Sequence, residues 1–171
     1  MQALIIFFAE LCTLRRAPQD LPASEILLMM ALLANLLAGV LVGVTATVPI
    51  WTSLLQGVIE TATTLAALAV ALYFTRIPGR FRQSATALLG SGALLGWLAL
   101  LPLSLDPAGG QASNLAALGA FLLLGLVIWG FVVTGHILRH TFGISLGLGS
   151  AIAMVFEMTN IMWITALFGS T

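Results

Sequence analysis

LRRAPQDLPASEILL, Leu14 to Leu28, carries four formal charges and two prolines between two strongly apolar segments. Either it is a loop built for chemistry or it marks the place where the chain enters a membrane. The surroundings decide. Of the 171 residues, 60% are apolar and 7% charged, against roughly 25% charged in ordinary soluble domains. Long apolar runs on both sides then identify an integral membrane protein, and the stretch becomes its entry elbow.

Working outward, a span needs about 20 apolar residues to cross a hydrocarbon core of roughly 30 Å. Five runs qualify, at about residues 25–48, 54–75, 84–103, 115–136 and 143–168. Pro49, RIPGRFR and SLDPAGGQASN separate the first four. The short ILRHTF connection makes the last two an antiparallel hairpin. Residues 1–14 are too short to span. Leu4, Ile5, Phe8, Leu11 and Cys12 recur at helical spacing, so this segment reads as a helix lying in the membrane interface. Its apolar character nearly all round also suits a helix covered by protein. The expected fold is all-α: five transmembrane helices behind a short interfacial helix, forming one membrane domain.

Charge placement predicts orientation. Arg15, Arg16, Arg76, Arg80, Arg82 and Arg139 all fall on one side of this arrangement. The positive-inside rule puts that side in the cytoplasm, with the N-terminus inside and the C-terminus in the periplasm of a bacterial inner membrane. Trp51, Trp97 and Trp163 then approach the outer face, and Tyr73, Phe74 and Phe81 the inner one, as aromatic belts do. Positive residues before an apolar stretch, and a small-x-small site after it, would signal secretion; here Arg15 and Arg16 come after MQALIIFFAEL, so cleavage is not expected.

In lipid, helices pack through small residues. The pairs Gly39 and Gly43, Gly92 and Gly96, and Gly143 and Gly147 are the candidate contact positions, and Gly119, Gly125, Gly130 and Gly135 run down the fourth span. The spacing suits either packing within the bundle or docking of another protein.

Ionisable residues inside spans are functional candidates. Glu60 lies about 24 Å from Arg76 and Glu157 about 21 Å from Gly143 at 1.5 Å per residue. These two, with Asn160 one turn beyond Glu157, are expected at one depth in the outer half; Asn35 lies nearer the middle of the first span. Two carboxyl groups at one depth suit a proton or cation site. Bonded to Asn160, Thr61, Thr64 or Thr159, they simply hold helices together.

His136 and His140 have i, i+4 spacing, which a metal can use, but no third ligand accompanies them. Beside Arg139 they read as surface anchors, so no metal is expected. Together with Arg15, Arg16, Asp20, Arg76, Arg80 and Arg82, they make the cytoplasmic docking and lipid-contact surface. The single cysteine, Cys12, forms no internal disulfide. No Gly-x-Ser-x-Gly elbow, phosphate loop or HExxH occurs, and the aspartates Asp20 and Asp106 lie in loops. No catalytic residue, cofactor or nucleic-acid partner is expected.

RAPQDLPAS (Arg16–Ser24) before the first span and GHILRHTF (Gly135–Phe142) before the last resemble segments of the Yip1-like family of small membrane proteins, in its bacterial branch. The resemblance implies a five-helix fold and little chemistry. It is specific only in these two segments. The Asp-Leu-Tyr-Gly-Pro motif of eukaryotic members is absent, so their trafficking role is not implied.

The functional expectation is a non-enzymatic accessory or scaffold protein, contacting the bilayer and other integral membrane proteins or itself. A small transporter or proton or cation conductor using Glu60 and Glu157 is the alternative; a lipid-binding or membrane-shaping role is a second.

Overall fold

The computed structural model describes residues 2–105 and 114–169, with the backbone alone for residues 2 and 3. Six α-helices follow one another: α1 (Gln2–Cys12), α2 (Glu25–Thr45), α3 (Ile50–Phe74), α4 (Phe81–Ser104), α5 (Asn114–Phe142) and α6 (Leu146–Phe168). Among the described residues there is no strand. The last five helices are long and apolar enough to cross a membrane. Asp106 and most of the turn expected in SLDPAGGQASN lie outside the described residues.

Local chemistry sets the ends. Leu14 adopts φ +62 and ends α1, and Arg15 N–H returns to the Glu10 carbonyl at 2.8 Å. One turn of 3-10 helix, Pro18–Asp20, follows, held where Ala17 N–H donates to the Asp20 carboxylate at 3.1 Å. Ser24 caps α2 by accepting from Leu27 N–H, and Glu25 occupies its positive first turn. Thr47 at φ +66 and then Pro49 turn the chain into α3.

Several expected boundaries move. The first span ends at Thr45 rather than Val48, the second begins at Ile50, four residues early, and the third begins at Phe81. The largest correction is at ILRHTF, which continues α5 instead of leaving it. Nothing in Ile137–Phe142 breaks a helix; the breaker is Gly143, at φ +71, a conformation glycine adopts without penalty. Only Gly143 to Ser145 remain as the connection, and α6 starts at Leu146 under a Ser145 cap.

Helix α4 is the hub and touches α1, α2, α3 and α5. Its buried face is made of small residues, among them Ala85, Ala87, Gly90, Ser91 and Ala93, which let neighbouring backbones come close. Helix α6 packs along α5 and meets α3 over a short stretch. At Gly96 an added Cβ would stand 3.1 Å from the Ala38 side chain, and at Gly92 2.8 Å from Asn35 Oδ1, so these two glycines receive α2. Gly43 lies against Ser53 of α3. Gly39 and Gly147 have nothing within 4 Å of a Cβ position, and Gly143 is a helix terminator, so these three make no helix contact. The tight crossing of α5 and α6 is instead at Gly135 and Gly149, where a Cβ on Gly149 would meet the Gly135 carbonyl oxygen at 2.5 Å.

Helix α1 does not lie apart from the bundle. Leu11 and Cys12 are buried with Leu21, Leu27, Ala87, Val133 and Ile137, and Phe7 and Phe8 pack against this core. Ile5 and Ile6 face outward. The helix therefore seals the side of the bundle between α4 and α5 with one face and leaves the other to its surroundings.

Candidate functional site

Two polar regions stand out: a seam halfway along α3 and α6, and the end of the bundle that carries the arginines.

At the seam, Glu157 is eleven residues from either end of α6, and Glu60 is ten residues from Ile50 and fourteen from Phe74. The helices run antiparallel and are joined where Thr63 Oγ1 lies 3.1 Å from Asn160 Oδ1. Glu60 precedes Thr63 by three residues and Glu157 precedes Asn160 by three. Each offset is about 4.5 Å, in opposite directions. The carboxyl-bearing residues thus sit about 9 Å apart along the helix axes, one on each side of the Thr63–Asn160 pair. The expectation of one shared depth is corrected: α6 starts at Leu146 rather than Gly143, which leaves Glu157 nearer the start of its helix than the sequence suggests.

Exposure divides the seam. Glu60 lies on the outside of the bundle, Glu157 is half-buried and Asn160 is buried. Thr63 Oγ1 is also 2.9 Å from the carbonyl oxygens of Ile59 and Glu60. A hydroxyl has one proton to donate; with that proton on its own helix, Thr63 pairs with Asn160 only by accepting from the amide. Asn160 Nδ2 is buried without a hydrogen-bond partner, and with the amide turned over, its oxygen takes that place. Either way one buried amide atom is left unpaired. Asn35 belongs to a different contact, donating from Nδ2 to Thr61 Oγ1 at 3.3 Å across α2 and α3.

Thr63 carries no charge to single it out, but Thr52 and Gln56 share the α3 face of Glu60 and Thr63 at intervals of four, four and three residues. That polar stripe was visible as a pattern.

At the arginine end, side chains stitch the connections together. Arg80 Nη1 donates to the Thr141 carbonyl at 2.7 Å, capping α5. Gln19 Nε2 reaches the His140 carbonyl at 2.5 Å, and Gln83 Nε2 the Leu21 carbonyl at 2.7 Å. His136 Nε2 lies 2.8 Å from the Arg16 carbonyl. His136 is buried, 5% exposed, which removes it from the expected lipid-contact surface; its ring meets His140 edge-on at 4.5 Å. Arg16 pairs with Glu10 at 2.8 Å and Arg82 with Glu25 at 2.5 Å. The hydrogen bond from Arg16 to Glu10, then their mutual attraction, pushes the guanidinium above its ordinary value. Asp20 is engaged with Ala17 rather than with the α2 N-terminus. Arg15, Arg76 and Arg139 have no side-chain hydrogen bond or ion pair among the described residues and remain as cations at this surface.

Behind this surface, Cys12 is buried, and burial pushes its thiol up to about 11. Trp129 Nε1 donates to the Cys12 carbonyl at 3.0 Å and ties α1 to α5. Neither this bond nor those of Gln19 and Gln83 had a signal in the sequence, because each joins residues distant in the chain. Among the described residues, no group of three or more His, Cys, Asp or Glu side chains is placed to hold a metal ion. No protein-family model, curated protein or solved structure matches this chain.

Proposed function

We propose that this chain is a non-enzymatic accessory protein of the bacterial inner membrane, N-terminus inside and C-terminus outside, that packs against another integral membrane protein through the α3–α6 side. One observation carries the reading. Glu60 stands on the outside of the bundle halfway along a span-length helix. Its carboxylate has no ion-pair or hydrogen-bond partner among the described residues. A carboxyl group facing hydrocarbon is costly, and ionisable groups at that depth face protein or water. A neighbouring protein supplies that environment. Purifying the tagged protein in mild detergent tests this: another membrane protein should accompany it in fixed proportion. A chain that always runs alone and monomeric overturns the reading.

The row Glu60, Thr63–Asn160, Glu157 favours a second reading, proton or cation passage along the seam. Flux through the reconstituted protein should then fall in Glu60→Gln and Glu157→Gln; unchanged flux excludes it.

A further inference from the structure

We infer that the α3–α6 seam receives a membrane-spanning segment of a different protein that carries a lysine or arginine near its midpoint. The inference rests on the accessory reading and specifies the partner's chemistry.

Three observations lead to it. The first is a mismatch of donors and acceptors: Glu60 and Glu157 bring carboxyl groups to the middle of α3 and α6, while the ion pairs within the described residues, Arg16–Glu10 and Arg82–Glu25, lie at the arginine end. The second concerns where a cation can come from. The chain has six basic residues, all arginines. Along α3 the nearest to Glu60 is Arg76, sixteen residues away, about 24 Å along a helix, and α6 contains none. A second copy of this chain therefore brings no cation to this level. The third is Asn160, 6% exposed, one of whose two amide atoms has no partner among the described residues. A buried polar atom left unpaired is costly, and Asn160 shares the face of Glu157 one turn away. Among the described residues the seam is thus incomplete: one buried amide atom and two carboxyl groups lack partners.

A cationic side chain arriving between α3 and α6 completes the set. Charged residues at mid-membrane depth pair with one another, and an ammonium or guanidinium offers donors to both glutamates. With the Asn160 amide turned so that its nitrogen donates to Thr63, the same cation also donates to the amide oxygen left unpaired. The short contact between α3 and α6 leaves the side of the seam open to a third helix.

The test uses the full chain in lipid nanodiscs with three synthetic membrane-spanning leucine–alanine peptides. One has lysine at its centre, one leucine there, and one lysine two turns nearer an end. Association is read by fluorescence transfer. The central-lysine peptide should bind about tenfold more tightly than the leucine peptide, a difference of about 1.4 kcal/mol. Moving the lysine should remove most of that gain, a control that needs no change to the protein. In Glu60→Gln/Glu157→Gln, checked for an unchanged unfolding transition, the central-lysine peptide should bind as the leucine peptide does. Equal binding of all three peptides to the unaltered protein, or a lysine preference that survives the double substitution, overturns the inference. If a partner still co-purifies in that case, the accessory reading stands without it. A lysine preference with nothing co-purifying removes the accessory reading, and with it the partner inferred here.

Discussion

The ring of Phe8 occupies the space in which a side chain at Gly90 would stand. The contact seats α1 against α4, far in sequence but adjacent in the bundle. Gly90→Ala should therefore push the ring out and loosen residues 2–12. Overpacking of this kind costs about 1–3 kcal/mol. Gly39→Ala, where nothing lies within 4 Å, should leave the unfolding midpoint in detergent unchanged or slightly raised. Equal effects of the two substitutions would show that α1 is not seated on α4.

The buried thiol of Cys12 provides a pH readout. Its ordinary value is 9.0 and burial raises it to about 11. The reactive thiolate should therefore increase about tenfold per pH unit from pH 7 to 10, and maleimide labelling in mild detergent should rise without a plateau. Trp129→Phe, which removes the bond to the Cys12 carbonyl, should speed labelling. The sign for stability follows: the folded thiol keeps its proton where the unfolded one, near 9.0, loses it. Its contribution is constant below pH 9 and declines between pH 9 and about 11. A labelling plateau below pH 9 contradicts this.

The two kinds of polar contact at the arginine end should differ in weight. His136→Ala removes a buried partner from the Arg16 carbonyl and should cost about 1–3 kcal/mol. Arg82→Gln breaks an ion pair whose side chains are 51% and 72% exposed, and should cost at most about 1 kcal/mol. Denaturant titrations of both variants make the comparison; a larger loss for Arg82→Gln reverses it.

Orientation is open to a direct check. An alkaline phosphatase fusion at the C-terminus should be active, and one inserted at Gly79 should not. The opposite pattern turns the protein over in the membrane.

How much of this was readable beforehand depends on the range of each interaction. Five apolar runs announce five long helices because length and hydropathy are local properties. The continuation of α5 to Phe142 was equally local but was masked by its charges: Arg139 and His140 look like a loop, although cations suit a helix C-terminus. The glycine pairs were harder. Spacing puts two glycines on one face without saying which helix that face meets, so Gly92 and Gly96 are contact sites while Gly147, in an equivalent pattern, faces open space. The seam needed the register between α3 and α6. Thr63 against Asn160 sets it, and no single helix reveals that pair.

The stitches at the arginine end also bear on the order of biogenesis. Gln19 is bonded to the carbonyl of His140 and His136 to that of Arg16, links across 121 and 120 positions. When the ribosome has finished α2, the elbow before it still lacks these acceptors and donors. With α1 it gains its seat on Gly90 and the bond from Gln83 once α4 is made, and is completed only when α5 follows. A segment made before α2 is therefore secured only after α4 and α5, and until then α1 is free to be handled by whatever receives the chain.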